Sequence, residues 1–332
     1  MQEIKGGITT PRGFQAAGIK CGLKENKKDL ALLLSEVPAR AIALLTTNRI
    51  QAAPLKITKE HLRDSRAQAI IINSGNANAC TGRKGLSDAR LMTQLTARNL
   101  QIKEKDVLVA STGIIGRPLP INKISRGIEK LRQKLTVEEK SSAAEAIMTT
   151  DTFPKEIAVK IRIKGKEVFI GGMAKGAGMV APHLATMLAF ITTDALIAKQ
   201  ALKKALKDSV DKSFNMITID GDMSTNDMVV ILANGLAQNE EIETGEKSFK
   251  CFQEALDFVT LSLAKMLVAD GEGATKFVEI KVKNAQDSRE AKKAACAIAN
   301  SVLVKTALFG EDANWGRIMA ALGQSGIKLK ED

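Results

Sequence analysis

Stretches with helical and strand-like spacing of apolar residues alternate along the whole chain, which is typical of a protein that combines helices with a sheet. Short apolar runs predict buried strands at residues 41–45, 69–72, 107–110, 187–192 and 228–232. Longer stretches, in which apolar residues lie three or four positions apart, predict helices between these strands. The pattern therefore predicts an α/β fold.

One segment alternates strictly between apolar and polar residues. Residues 156–164 follow this period of two, Gly165 marks a turn, and residues 167–170 continue as a returning strand. Two such runs joined by a short turn predict an antiparallel hairpin. We therefore expect a fold of α+β type, with mixed sheets and layered helices, and not a doubly wound Rossmann fold.

The sequence predicts several helices and a change of pattern that divides the chain. Ser87 is a suitable N-cap for a helix that ends near Leu100, and the longest amphipathic pattern covers residues 195–214. The other predicted elements are a short helix near residues 128–135, helices at 252–267 and 288–299, and a strand at 277–282. The change from strand to long helix near Asp194 predicts a first domain of residues 1–194 and a second of residues 195–332.

Composition narrows the possible functions. Of the 332 residues, 45% are hydrophobic, 26% are charged and 3% are aromatic, which indicates a globular protein with an aliphatic core. The formal net charge is +12, but the lysines are spread along the chain and no arginine block or aromatic platform indicates nucleic-acid binding. We expect no nucleic-acid partner and a basic surface that attracts acidic metabolites.

Signals for membranes and metals are absent from the sequence. No apolar run approaches the roughly 18 residues of a membrane span, and the N-terminal residues lack a signal-peptide core, so we expect a cytoplasmic protein with no membrane partner. The four cysteines form no CxxC pair and there are two histidines, so no metal site is predicted. The cluster Asp220, Asp222, Asn226 and Asp227 lacks the glycine and glutamate of an EF-hand, and we interpret it as a hydrogen-bonded turn.

A glycine-rich turn at residues 171–178 is the most informative segment. Residues 176–181 form a GxGxxA pattern, but Pro182 and the β-rich residues after it do not continue as the helix of a dinucleotide site. A nucleotide cofactor is therefore not predicted, and the glycines are expected to permit a tight turn.

Thr186 follows this turn and precedes an apolar run. If the Ala185–Thr186 bond breaks, Thr186 gains an α-amino group with an ordinary pKa of about 8, against about 10.4 for a lysine side chain. Such an amine can act as the general base for the hydroxyl of its own residue. Spacing alone leaves a second interpretation open, in which Thr186 is an ordinary strand residue.

The order of residues around Thr186 resembles the processing site of the ornithine acetyltransferases of arginine biosynthesis, which are bifunctional glutamate N-acetyltransferases. The matching positions are Gly171-Gly172, Lys175-Gly176-Ala177-Gly178-Met179, Pro182, Ala185-Thr186-Met187-Leu188 and Thr192-Thr193-Asp194-Ala195. Further matching segments lie at residues 6–18, 73–82, 111–116, 148–155, 220–227, 270–276 and 310–318. The resemblance covers essentially the whole chain, and it implies an N-terminal-nucleophile-like fold.

The resemblance implies catalytic roles for three residues. Thr186 matches the nucleophile, which becomes the first residue of a second chain when the bond after Ala185 is cleaved. Thr112 and Gly113 match the oxyanion hole, where a hydroxyl and a backbone N–H stabilise developing negative charge. Without the resemblance, the Ser-Thr-Gly sequence at residues 111–113 is a turn after a strand.

The substrate-binding residues implied are Thr149, Lys175, Glu272 and Thr186 itself. Thr150 adjoins Thr149, and the match does not separate these two threonines. As single residues, Lys175 and Glu272 are most simply interpreted as surface charges.

The activity implied is acetyl transfer from N2-acetyl-L-ornithine to L-glutamate, by a ping-pong mechanism through acetyl-Thr186 and without a metal or organic cofactor. Acetyl-CoA is left open as a second acetyl donor. The partners implied are the α chain (residues 1–185) and the β chain (residues 186–332), assembled as a heterotetramer of two α and two β chains. Two alternatives remain, namely a self-processing amidohydrolase or aminopeptidase of similar fold, and an inactive, uncleaved chain.

The family's chains continue well beyond the segment that matches residues 315–318, whereas this sequence ends at Asp332. We therefore expect further polar substrate-site residues of the family to have no counterpart in this sequence.

Overall fold

The computed structural model describes residues 1–138, 142–181 and 187–329. Within these residues, nine strands form one mixed sheet. The strands are β1 (Gln2–Ile4), β2 (Phe14–Ile19), β3 (Leu30–Leu45), β4 (Arg66–Asn76), β5 (Val107–Ile114), β6 (Lys155–Ile163), β7 (Lys166–Lys175), β8 (Leu188–Thr193) and β9 (Met228–Ala233). The helices are α1 (Ala53–His61), α2 (Gly82–Leu100), α3 (Ile121–Leu131), α4 (Ser142–Ile147), α5 (Lys199–Lys212), α6 (Lys247–Ala269), α7 (Ser288–Asn300), α8 (Val302–Phe309) and α9 (Trp315–Gly323).

The strand order is β1-β6-β7-β8-β9-β3-β4-β5, and β2 pairs with β3 on the edge opposite β4. The β4–β5 and β8–β9 pairs are parallel, and the other pairs are antiparallel. The predicted hairpin is confirmed by the antiparallel β6–β7 pair. Most pairs are antiparallel, including the β3–β9 pair in the middle of the sheet, whereas a doubly wound sheet is mostly parallel, so the α+β prediction is confirmed.

The sheet folds over on itself at β3. The first part of this 16-residue strand pairs with β2 and β4, its last part pairs with β9, and the register of the β3–β4 pair shifts between Leu34 and Ala39. The two parts of the sheet pack face to face around a shared apolar core, in which Ile70 and Leu108 belong to one part and Met173 and Phe190 to the other. The ends of strands that are distant in the strand order therefore meet in space.

Helices cover the outer faces of both parts. Apolar residues of α5 and α6 pack on β6 to β9, and apolar residues of α1, α2 and α3 pack on β3 to β5. The predicted layered helices are confirmed. Burial of these apolar faces is the main force that holds the layers together.

Two predicted helix starts were wrong. Helix α2 begins at Gly82 and not after Ser87, because its first turn is polar and is held by Asn78, whose Nδ2 donates to the Gly85 carbonyl at 2.9 Å. Helix α5 begins at Lys199 because Ile197 forms a β-bridge with Ile242 and keeps the preceding chain extended.

The predicted strand at residues 277–282 was also wrong. This segment has no strand partner among the described residues, and Phe277 and Val278 are exposed. Alternation of apolar and charged residues is therefore insufficient where no sheet edge is in reach to accept the backbone hydrogen bonds.

The predicted domain boundary near Asp194 lies directly after β8. Strand β8 pairs with β9 in parallel, and α5 lies between them in the sequence. The division of the chain at this point stays a prediction. Within the described part of the chain, none of the helices is both long enough and apolar enough to cross a membrane.

Candidate active site

The ends of β5, β7 and β8 meet where the sheet folds over. Lys175 is the last residue of β7 and pairs with Leu188, the first residue of β8. Its Nζ donates a hydrogen bond of 3.2 Å to Oγ1 of Thr112, near the end of β5. Both side chains are buried, so a lysine and a threonine that lie 63 residues apart share one water-poor site.

Burial shapes the charge of this site. The pKa of Lys175 is lowered because burial penalises its ammonium form, and the nearby carboxyl groups of Asp151 and Asp227 only partly offset that penalty. A lysine with a lowered pKa loses its proton more readily than a surface lysine. Lys175 can therefore act as a hydrogen-bond donor or, once deprotonated, as a proton acceptor.

Gly113 lies where β4 and β5 approach each other closely. Its φ is +131°, and a Cβ atom on this residue would lie 2.3 Å from the carbonyl carbon of Gly75. A residue with a side chain would have to push the two strands apart. Glycine is thus required at position 113 for the close approach of the two strands.

The loop before β9 is tied to the same place. Nδ2 of Asn226 donates to the carbonyl oxygens of Ala77 (2.7 Å) and Ser111 (2.8 Å). The next residue, Asp227, is buried, and its Oδ1 accepts the backbone N–H of Met187 at 3.1 Å. Asp227 therefore contacts the residue that directly follows Thr186 in the sequence.

Asp227 is an unusual carboxyl group. Its Oδ2 has no hydrogen-bond partner among the described residues. Burial raises the pKa of Asp227 well above its usual value, although the N–H of Met187 and the nearby Lys175 work in the opposite direction. Sequence analysis placed Asp227 only in a turn and did not assign it to the site.

The predicted substrate-binding residues lie around this site. Thr149 is half-buried, and its backbone N–H donates to Oδ2 of Asp151 at 2.9 Å, whereas Thr150 is exposed. The N–H of Glu272 donates to the carbonyl oxygen of Ala177 at 2.7 Å, which fixes Glu272 against the glycine-rich turn after β7.

The predicted cleavage site, Ala185 and Thr186, lies outside the described residues. On its N-terminal side, Asp220 accepts hydrogen bonds from the backbone N–H groups of Met179 and Val180, and it also accepts the N–H of Asp222. The interpretation of residues 220–227 as a hydrogen-bonded turn is confirmed, and this turn holds the chain shortly before the predicted cleavage site.

A metal-ligating set is not found in the described part of the chain, where no group of three or more His, Cys, Asp or Glu side chains could hold an ion. The four cysteines are free thiols. Thr112, Lys175, Asp227 and the Gly113 backbone offer hydroxyl, amine, carboxyl and N–H groups, which suit acyl transfer through a nucleophile.

Comparison with known proteins shows the family to which the chain belongs. Residues 15–332 match the profile of the ArgJ family. The chain is 51% identical over 332 residues to the arginine biosynthesis bifunctional protein ArgJ of Caldanaerobacter subterraneus, covering 100% of this chain and 82% of that protein. It is 52% identical to the protein of the same name from Symbiobacterium thermophilum, covering 99% of this chain and 83% of that one.

Two of the similar solved structures are an ArgJ protein and an ornithine acetyltransferase, in agreement with the family match. A crystal structure of ArgJ from Bacillus halodurans has a TM-score of 0.53 and 43% identity, covering 56% of this chain and 97% of that chain. An ornithine acetyltransferase of Mycobacterium tuberculosis, solved with ornithine, has a TM-score of 0.51 and 39% identity, covering 55% and 97%. A Burkholderia β-aminopeptidase, at 9% identity and a TM-score of 0.53, covers 99% and 96% and shares the fold alone.

The resemblance inferred from the motifs is thus confirmed by a match over nearly the whole chain and by relatives that share about half of its residues. The chain belongs to the ArgJ family, whose matched members are bifunctional proteins of arginine biosynthesis.

Proposed function

We propose that this chain is an acyltransferase that moves an acetyl group from N2-acetyl-L-ornithine to L-glutamate. The hydroxyl of Thr186 attacks the acetyl carbonyl carbon, ornithine leaves with its amine protonated, and acetyl-Thr186 remains. The amine of glutamate then attacks the ester, which gives N-acetylglutamate and restores the hydroxyl. Membership of the ArgJ family and the likeness to an ornithine acetyltransferase support this proposal.

The hydrogen bond from Lys175 to Thr112 is the observation that carries the proposal. Because the Thr112 oxygen accepts from Nζ of Lys175, its own O–H is left to donate to another oxygen. The Gly113 N–H lies next to it in the chain. A hydroxyl and an N–H held in this way can stabilise an oxyanion, and losing one such donor costs about 3–4 kcal/mol of barrier lowering.

Activation of Thr186 requires a break in the chain. Its hydroxyl attacks the carbonyl carbon of Ala185, the peptide bond to the Thr186 nitrogen breaks, and water hydrolyses the resulting ester. The lengths of the solved relatives support this step. In both comparisons, 97% of the solved chain is matched by only 55–56% of this sequence. Residues 1–185, the proposed α chain, are 56% of the 332 residues.

The same proposal covers the residues that bind substrate and the assembly. Lys175 binds a carboxylate, Glu272 binds an ammonium group, and Thr149 contacts the substrate. The reaction needs no metal or organic cofactor, and acetyl-CoA is a further candidate donor. The α and β chains assemble as two copies each, and the enzyme works in the cytoplasm.

Intact mass of the purified protein, beside its Thr186→Ala variant, is the first experiment. We expect two fragments in the parent, the second beginning at Thr186, and one chain near 35.6 kDa in the variant. An uncleaved parent would contradict the proposal.

The acceptor is then tested on the cleaved protein. Incubation with acetylornithine should release ornithine at a steady rate only when glutamate is present, and N-acetylglutamate should form in equal amount. Release of acetate at the same rate without glutamate would instead identify a hydrolase, which is the alternative left open by the sequence.

A further inference from the structure

Three charged side chains are buried together next to the candidate active site. Lys155 donates from Nζ to Oδ1 of Asp151 at 2.7 Å and to Oδ2 of Asp270 at 2.6 Å. The side chains of Lys155 and Asp151 are fully buried, and that of Asp270 is 3% exposed. We call these three residues the Lys155 triad.

The triad is connected to each of the three predicted substrate-binding segments. Oδ2 of Asp151 accepts the N–H of Thr149 at 2.9 Å, and its Oδ1 accepts the N–H of Gly176, the residue after Lys175, at 2.7 Å. Asp270 lies two residues before Glu272, on the same turn after α6. One buried ion group thus touches or adjoins the backbone of all three segments.

The carboxyl groups of the triad are held in their charged form. Burial acts to raise the pKa of Asp151, but Lys175 and Lys155 outweigh it and keep that pKa below its usual value. Burial also acts to raise the pKa of Asp270, and hydrogen bonds from Lys155 and Thr152 hold it low. Thr152 donates both its backbone N–H and its hydroxyl to Asp270, so the segment from 149 to 152 is fastened at both ends.

We infer that the Lys155 triad is a positioning group, which sets the distance between the cation of Lys175 and the anion of Glu272 so that they fit the carboxylate and ammonium groups of one amino-acid substrate. This inference rests on the substrate-binding roles proposed above. Within the described part of the chain, none of the three triad residues forms a hydrogen bond to Thr112 or Gly113. They act by holding Thr149, Lys175 and Glu272 at fixed separations.

The experiment compares Lys155→Met and Asp270→Asn with the wild type in the acetyl-transfer assay, using protein whose cleavage is verified by intact mass. Lys155→Met keeps the length of the side chain and removes its charge. Asp270→Asn is the milder change because the side chain keeps its size and can still accept from Thr152. We expect KM for acetylornithine and for glutamate to rise at least tenfold in each variant, with kcat within about threefold of the wild type.

Asp194→Asn is the matched control. Asp194 is also a buried aspartate, accepting Phe169 N–H at 2.8 Å and pairing with Arg12 at 2.7 Å, but it lies at the opposite end of β8 from Lys175 and Leu188. It should lower the melting temperature without moving either KM. Lys155→Arg should return KM toward the wild-type value.

The result that overturns the inference is a KM within twofold of the wild type in both triad variants, or a rise of the same size in Asp194→Asn. If Lys155→Met fails to fold, Asp270→Asn decides alone.

Calorimetric binding of ornithine separates this inference from the proposed function. Wild-type protein that binds ornithine but transfers no acetyl group would refute the transfer reaction. Binding weakened tenfold in the triad variants, but not in Asp194→Asn, would still support the positioning role. If the wild type does not bind ornithine at all, both proposals are wrong.

Discussion

Replacing Gly113 by alanine should disable the site by moving one strand end. The new Cβ would lie 2.3 Å from the carbonyl carbon of Gly75 and 2.5 Å from the nitrogen of Asn76, which are backbone atoms that cannot rotate away. Ordinary contact begins near 3.4 Å, so β4 and β5 would have to separate locally by about 1 Å. A φ of +131° adds strain for any residue other than glycine.

The size of the effect follows from that displacement. A misplacement of about 1 Å in a catalytic group can lower the rate about 100-fold. Overpacking of this kind costs about 1–3 kcal/mol of unfolding free energy, and the strained φ adds about 1–2 kcal/mol. We therefore expect Gly113→Ala to fold with a loss of about 2–5 kcal/mol and to slow both cleavage and acetyl transfer about 100-fold or more.

Gly116→Ala is the matched control because Gly116 also has a positive φ, +81°, but a Cβ there meets no atom within 4 Å. Both variants should be followed by intact mass during cleavage, by steady-state transfer and by urea unfolding. Gly116→Ala should lose about 1 kcal/mol and keep its activity. A Gly113→Ala protein that is cleaved and turns over like Gly116→Ala would refute the assignment of the Gly113 N–H to the oxyanion hole.

Three further predictions concern buried groups. Lys155→Met should lose about 3–5 kcal/mol of unfolding free energy at pH 7.5, because two carboxylates are left buried without their cation. The loss measured by urea unfolding should shrink near pH 4.5, since Asp270 has lost the Lys155 hydrogen bond that lowers its pKa and Asp151 keeps only Lys175 of its two cations, so that both carboxyl groups are protonated more readily. An equal loss at both pH values would contradict the ion-triad description. Because the pKa of Asp227 is raised in the folded protein, the wild type should lose stability as pH rises from the usual aspartate range through that raised pKa. Asp227→Asn cannot ionise, so its melting temperature should change less between pH 4 and 8. Parallel curves for the two proteins would show that Asp227 does not titrate in this way. Burial and the nearby Asp29 raise the pKa of the Cys21 thiol to about 12. Iodoacetamide at pH 8 should therefore modify the exposed Cys80 in the folded protein and Cys21 only after unfolding, as measured by peptide mass. Equal rates of modification for the two cysteines in the folded protein would place Cys21 at the surface.

The central strands could be predicted from the sequence because their own residues decide them. Residues 69–72 and 228–232 are apolar without interruption, and a strand covered on both faces needs no other signal. Helix starts were less accurate, since the first turn of α2 contains no apolar residue and is fixed by the side chain of Asn78 in the loop before the helix. The segment at 277–282 has a suitable local pattern but forms no strand, because no strand edge among the described residues pairs with it.

The roles proposed for individual site residues come only from the resemblance to a family. Thr112 and Lys175 lie on β5 and β7, which are separated by four other strands in the sheet order. Their contact depends on the fold at β3, where the register shifts between Leu34 and Ala39. Nothing in the spacing of those residues indicates such a fold, so residue types alone left both side chains with ordinary interpretations.

The buried charges were missed for a different physical reason. A lysine or aspartate in a sequence is most often at the surface, and only the folded chain shows that Lys155, Asp151 and Asp270 exclude water from one another. Stability does not explain them, because apolar residues of similar volume can replace a buried ion group without loss. Apolar residues could not, however, accept the N–H groups of Thr149 and Gly176 at 2.9 and 2.7 Å. Fixing those two backbone segments at a set distance is what the charges accomplish, and it is a requirement of a site that must match both ends of one small substrate.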